Sequence, residues 1–171
     1  RAVLRRRADY PYAQAGMARV LAARGDTNGA VEVLQSLATR LPMPEFLAQL
    51  GAIYLVSGHM QLAADQFDTV RVIQQLNRGV GMNVDLELAG VEVTYGEDSK
   101  LALALAEAAY HERPTIYAAD TLAWALYRNG RYVEAERYSQ EALRLGTQDA
   151  RMWYRSGIIA DALGDRIQAK V

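Results

Sequence analysis

Two histidines, His59 and His111, are the only imidazoles in the 171 residues, and neither has the HExxH spacing or the ligand cluster that a metal needs. Both read as solvated surface residues. Cys is absent, which removes thiol nucleophiles, disulfides and thiolate-bound zinc together. Glu97 and Asp98 are adjacent acids in an expected turn, where such pairs are commonly just exposed, and the other carboxylates are scattered without a geometry for general acid–base work. "GVGMNVDLELAG", residues 79–90, invites a phosphate-loop reading, but it lacks both the third glycine at dinucleotide spacing and a Gly-Lys-Ser/Thr. It reads as a loop between helical segments. "RAVLRRR", residues 1–7, reads as a helix C-terminus whose cations face exposed carbonyls rather than as a nucleic-acid patch. The residue types therefore predict no catalytic group, no metal and no cofactor.

What remains is chemistry of contact. "DTLAWALYRNGRY", residues 120–132, sets Asp120, Trp124, Tyr127 and Arg128 in the i, i+4, i+7, i+8 series of one helix face. Leu122, Ala123 and Leu126 fall on the other side and are expected in the core. Tyr132 lies past the Asn129-Gly130 turn as a helix-packing residue. Aromatics and Arg among mixed charges are the composition of protein-binding surfaces. The competing reading packs Trp124 against a neighbouring element and leaves the charges to solvate the face.

Composition sets bounds on both readings. A hydrophobic content of 51% with 23% charged residues is that of a folded soluble domain. Nineteen Lys+Arg against 20 Asp+Glu leave a net charge of −1, so no global field recruits nucleic acid or an anionic membrane. The longest apolar run, "LALALAEAAY" at 101–110, contains Glu107 and is too short to span a bilayer. It alternates like a strand, but its Ala content and its place in the repeat described next predict helix. No signal-peptide pattern opens the chain; the compartment stays open, with the cytoplasm slightly favoured.

Setting Gly25, Gly58, Gly130 and Gly164 as the same turn exposes an internal repeat with a period of about 34 residues. Each unit reads as an apolar-periodic helix, a glycine turn and a second such helix. One column holds Ala18, Gly51, Gly90, Ala123 and Gly157, and another holds Ala30, Ala63, Ala102, Ala135 and Ala169. Such small side chains allow helices to cross closely. Leu34, Phe67 and Ser139 form a third column, and Leu37, Val70, Ala109 and Ala142 a fourth. Ser139 departs from an apolar column and Leu37 from a small one. The landmarks and spacing resemble the tetratricopeptide repeat (TPR) family, over nearly the whole chain. The resemblance implies an all-α fold, a right-handed superhelical solenoid of antiparallel helix pairs.

The expected organisation is a single array over 1–171: the tail of a preceding repeat at 1–10 (with Val3 and Leu4 in its apolar columns), repeats at 11–43, 44–77, 83–115 and 116–149, and a partial repeat at 150–171. "RGVGM", residues 78–82, is an insertion, and the third repeat departs most, with Gly96 and Glu97 where one turn glycine is expected. Neither end carries a polar capping repeat, so the chain reads as a fragment of a longer protein with ends open to self-association.

In the family the first helix of each unit lines a concave surface. The resemblance then implies a peptide-binding groove of Tyr117, Asp120, Trp124, Tyr127 and Arg128, flanked by Glu87, Thr94 and Tyr95 on one side and by Arg151, Tyr154 and Asp161 on the other. Tyr12 and Arg19 extend it toward the N-terminus. The family's carboxylate clamp for acidic tails is matched only in part: Arg151 and Arg155 resemble its basic half, but Glu87 and Val91 stand where Lys and Asn are needed, and Thr121 replaces another Asn. A ligand with apolar and basic character fits Asp120, Glu87 and Asp161 better.

The expected function is a noncatalytic scaffold that binds an extended peptide or helix of a partner protein in that groove, with no nucleic-acid partner and no membrane insertion. One alternative is the substrate-recruiting or regulatory region of a larger enzyme whose catalytic domain lies outside this segment. Another is a self-assembling structural module.

Overall fold

Glycines in the left-handed backbone region follow the ends of four helices, and at Gly25, Gly58 and Gly130 the chain then reverses into the next helix. Gly25, Gly58, Gly130 and Gly164 have φ of 85°, 80°, 74° and 80°, a conformation that glycine adopts without the strain a Cβ would bring. At the first of these, the Gly25 N–H donates to Ala22 O and the Asp26 N–H to Leu21 O, each at 3.0 Å. Two carbonyls of the outgoing helix turn are thereby satisfied within the turn itself. The bonds His59 to Tyr54, Arg131 to Leu126 and Asp165 to Ala160, at 2.9, 3.0 and 2.9 Å, repeat the arrangement at the other three.

The computed structural model describes residues 9–80, 85–96 and 98–165, without the side chains of Arg78 and Asp85. Among the described residues all regular elements are α-helices: α1 Pro11–Ala23, α2 Thr27–Arg40, α3 Pro44–Val56, α4 Met60–Gly79, α5 Asp85–Tyr95, α6 Ser99–Glu112, α7 Ile116–Arg128, α8 Tyr132–Leu143 and α9 Ala150–Ala162. Their starts are specified locally. Pro11 and Pro44 open α1 and α3, where the missing N–H is one the helix leaves unbonded anyway. Asp26, Asp98, Thr115 and Asp149 cap α2, α6, α7 and α9 by accepting N–H bonds from their first turns. The alternating run at 101–110 is inside α6, with Ala102, Ala106 and Ala109 buried at helical spacing.

The chain divides into two compact units, residues 1–82 and 83–171. In the first, α1 packs on α2, α2 on α3 and α3 on α4. In the second, α5 packs on α6, α6 on α7, α7 on α8 and α8 on α9, and α5 also touches α7, and α7 touches α9. This second unit thus presents α5, α7 and α9 side by side. Its core gathers Ala89 and Val93 of α5, Ala102, Ala106 and Ala109 of α6, Leu122 and Leu126 of α7, Ala135 of α8 and Ile159 of α9.

Most described members of the small-residue columns are buried, while Gly90 and Gly157 are only partly so. Ala18, Ala30, Ala63, Ala102, Ala123 and Ala135 are buried almost completely, as are Leu34, Phe67, Ser139, Leu37, Val70, Ala109 and Ala142 of the other two columns. Gly51 is filled from outside: a Cβ there would meet the Phe67 ring, whereas one at Gly90 would meet nothing within 4 Å. The first two residues of "RGVGM" belong to the last turn of α4, which runs through Gly79. The expectations for Val3, Leu4, "RAVLRRR", Glu97 and Ala169 lie outside the described residues.

Candidate functional site

Arg155 lies on the same face of α9 as Met152 and Ile159, at the i, i+3, i+7 spacing of a buried stripe, and all three are buried. A guanidinium in that position needs fixed partners, because burying an unpaired charge is very costly. Its partners come from two other helices. Arg155 Nη1 donates to Asp120 Oδ2 of α7 at 2.7 Å, and Nη2 donates to Thr94 Oγ1 of α5 at 2.9 Å. The Asp120 and Arg155 side chains are 4% and 6% exposed. Burial pushes the Arg155 guanidinium down from its ordinary range, and the Asp120 carboxylate acts against that shift. Thr94 in turn donates to Gly90 O at 2.7 Å, which fixes the direction of its hydroxyl.

The same guanidinium lies over the Trp124 ring, 5.3 Å from its centroid, a cation–π geometry. Trp124 stacks on Tyr127 at 4.8 Å and 13°, and Tyr127 leans on Tyr132 at 5.6 Å. Trp124 and Tyr127 are therefore half-buried and engaged with their neighbours. Arg151, one turn before Arg155, is exposed and reaches Asp120 Oδ2 only at 3.8 Å. Tyr95, half-buried at the end of α5, has its phenol pushed up by burial, while the charges of Arg151 and Arg155 pull it down.

Of the expected surface residues, the second unit thus brings together Thr94, Tyr95, Asp120, Trp124, Tyr127 and Arg151 around Arg155. Arg128 is also placed there, but its guanidinium is turned onto the end of α5, donating to Glu92 O, Val93 O and Gly96 O at 3.1, 2.8 and 2.8 Å. Tyr117 and Tyr154 remain exposed on α7 and α9, 50% and 66%, and Glu87 and Asp161 are exposed as well. Tyr12 and Arg19 belong to the first unit. Arg19 is exposed, while Tyr12 joins α1 to α3 by donating to Glu45 Oε1 at 3.0 Å and by an edge contact with Phe46. Asp98, the described member of the acid pair, caps α6. His59 and His111 are exposed, and no group of His, Asp or Glu among the described residues is arranged to hold a metal.

The hairpin architecture has solved counterparts. The chain is similar to a thermophilic TPR protein of Thermus thermophilus, with a TM-score of 0.63 and 17% identity over 93% of this chain and 86% of that one. It is similar to the APC/C hetero-tetramer Cut9–Hcn1, with a TM-score of 0.60 and 14% identity over 99% of this chain and 33% of that one. A third likeness is to TPR-like repeats of a Podosopora anserina putative kinesin light chain, with a TM-score of 0.53 and 19% identity over 95% and 92%. The chain has a TPR-like helical-repeat fold. No protein-family model and no curated protein matches the sequence.

Within this TPR-like fold the site is built on first helices alone: α5, α7 and α9 supply Thr94, Asp120, Trp124, Arg151 and Arg155. Arg155, which the resemblance connected only with half of a clamp, is the hub. The signal for it was present in the sequence, as an Arg at buried spacing between Met152 and Ile159.

Proposed function

We propose that the chain is a noncatalytic protein-interaction scaffold whose second unit offers the α5–α7–α9 face to an extended peptide or helix of a partner protein. The observation that carries this reading is the exposure of Tyr117 and Tyr154 beside the locked Asp120–Arg155 pair. Exposed aromatics next to a buried ion pair provide large burial on binding, as hot spots do. The balanced charge supports a protein partner over nucleic acid, and no helix among the described residues is long and apolar enough to cross a membrane. Cut9–Hcn1, one of the structural counterparts, is itself a hetero-tetramer, which agrees with an assembly role.

The site also refines what the partner meets. Asp120 is closed off by Arg155, so the exposed groups are Tyr117, Tyr154, Thr94, Arg151, Glu87 and Asp161. A peptide library selected on the chain and titrated against Tyr117→Ala/Tyr154→Ala tests this reading. Selected peptides are expected to lose at least about 1–2 kcal/mol of affinity per aromatic removed, with the helical melt unchanged. Equal affinity for the parent and double variant, or a library that yields no binder, removes the α5–α7–α9 face as the docking surface.

A further inference from the structure

We infer that Asn129 is a latent modification site, which loses its side-chain nitrogen by deamidation only when the end of α7 leaves α6. The sequence holds two Asn-Gly pairs, Asn28-Gly29 and Asn129-Gly130. Asparagine before glycine is prone to this reaction, because the glycine N reaches the side-chain carbonyl with no Cβ in the way. The glycine N bonds to the asparagine Cγ, the Cγ–Nδ2 bond breaks, and the nitrogen leaves as ammonia with the proton of the glycine amide. One water then opens the succinimide ring to a free carboxylate, as aspartate or isoaspartate.

The structure sets the two pairs apart. Asn129 Nδ2 donates to Ser99 O of α6 and to Ala125 O of its own helix, each at 2.8 Å. The Gly130 N–H is committed to Tyr127 O at 3.0 Å, and a ψ of 10° at Asn129 turns that nitrogen away from the side chain. Nucleophile and leaving group are both held, and the leaving group is held partly by another helix. Asn28, by contrast, is exposed in the first turn of α2. The Gly29 N–H is tied there to the Asp26 cap carboxylate at 3.0 Å, because the first N–H groups of a helix have no intrahelical acceptor. Fraying of that one turn frees Asn28, whereas Asn129 needs the α6–α7 contact to open. The products differ as well. A carboxylate at 28 lies at the positive end of the α2 dipole. A carboxylate at 129 has no donor for Ser99 O and Ala125 O, sets its charge against both, and lies at the negative end of the α7 dipole. Conversion of Asn129 therefore opposes the return of α7 to α6, so that a transient opening leaves a covalent record.

The whole 171-residue chain, aged in mildly alkaline buffer with and without urea and then mapped by peptide mass spectrometry, tests the inference without any ligand. In urea the two asparagines are expected to convert at similar rates. In native buffer Asn129 is expected to convert at least tenfold more slowly than in urea, and at least tenfold more slowly than Asn28. Leu126→Val, a change at a buried residue of α7, is expected to speed conversion of Asn129 at least threefold and leave Asn28 unchanged. Asn129→Asp, which installs the product directly, is expected to lower the denaturation midpoint, and Asn28→Asp to leave it unchanged or raise it. Native conversion of Asn129 as fast as in urea, or as fast as that of Asn28, overturns the inference even if the Leu126 variant fails to fold. So does equal acceleration of both asparagines by Leu126→Val, or an Asn129→Asp chain as stable as the parent.

Discussion

Arg155 and Asp120 meet at 2.7 Å with side chains 6% and 4% exposed, joining α9 to α7 in the middle of the second unit's first-helix layer. Removing one member leaves the other buried and unpaired, whereas removing both leaves only space and lost packing. Asp120→Ala is expected to cost about 3–5 kcal/mol. Asp120→Ala/Arg155→Met should cost less than the sum of the single changes by at least about 1 kcal/mol. Chemical denaturation of the four species gives the coupling directly. Strict additivity would show that the pair is not a unit. Arg151→Ala, at the exposed 3.8 Å contact, is expected to cost no more than about 1 kcal/mol.

Trp124 provides a second test of the same layer, because its ring is engaged by the Arg155 cation and by Tyr127. Trp124→Ala removes a large packed surface and is expected to cost roughly 3 kcal/mol, while Tyr154→Ala, on a 66% exposed side chain, should stay within about 0.5 kcal/mol. Parallel thermal melts separate the two. Unequal partner binding after correction for folding would then assign contact to one, the other or both. Equal melting temperatures for these variants would show that Trp124 is not held as the geometry indicates.

The turns were legible in the sequence because backbone conformation is a local property: Gly25, Gly58, Gly130 and Gly164 recur in register and all adopt positive φ. The crossing columns were legible because steric size repeats with the hairpin, so Ala18, Ala30, Ala63 and Ala135 are all buried. The polar centre was harder. Asp120 and Arg155 occupy different helices, and periodicity names the face of each helix without showing which charges meet between them. Tyr117 and Asp120 share one helical stripe, yet the first is exposed and the second closed over by α9. Arg128 shows the same gap, since its face was readable while its carbonyl partners depend on how α5 ends.

Gly51 and Gly90, two members of one column, are expected to respond to the same substitution with opposite signs. In a helix interior Ala is favoured over Gly by about 0.5–1 kcal/mol, and at Gly90 no neighbour lies within 4 Å of the added Cβ. Gly90→Ala is therefore expected to stabilise. At Gly51 the Cβ would press on the ring of buried Phe67, and overpacking of about 1–3 kcal/mol outweighs the backbone gain. Denaturation midpoints shifting in the same direction for both variants would contradict the packing at one of the two positions.

Alkaline pH should expose two perturbed phenols. Tyr110 of α6 donates to both carboxylate oxygens of Glu141 on α8 at 2.8 Å. That hydrogen bond raises its pKa first, with burial and the charge of Glu141 acting in the same direction. Tyr95 is raised by burial despite the opposing charges of Arg151 and Arg155. For both groups the folded value lies above that of an unfolded tyrosine, about 10, so in that window the folded chain holds more protons than the unfolded one. Their contribution to stability is therefore complete below about pH 10 and is lost as the pH rises through the folded values. Denaturation midpoints of the parent are expected to fall above that pH more steeply than those of Tyr95→Phe/Tyr110→Phe, which lacks both protons. The phenolate absorbance of the parent minus that of Tyr95→Phe/Tyr110→Phe should show the two groups ionising above the ordinary tyrosine value, about 10. Parallel alkaline slopes for parent and double variant would mean that neither phenol is held in its protonated form by the fold.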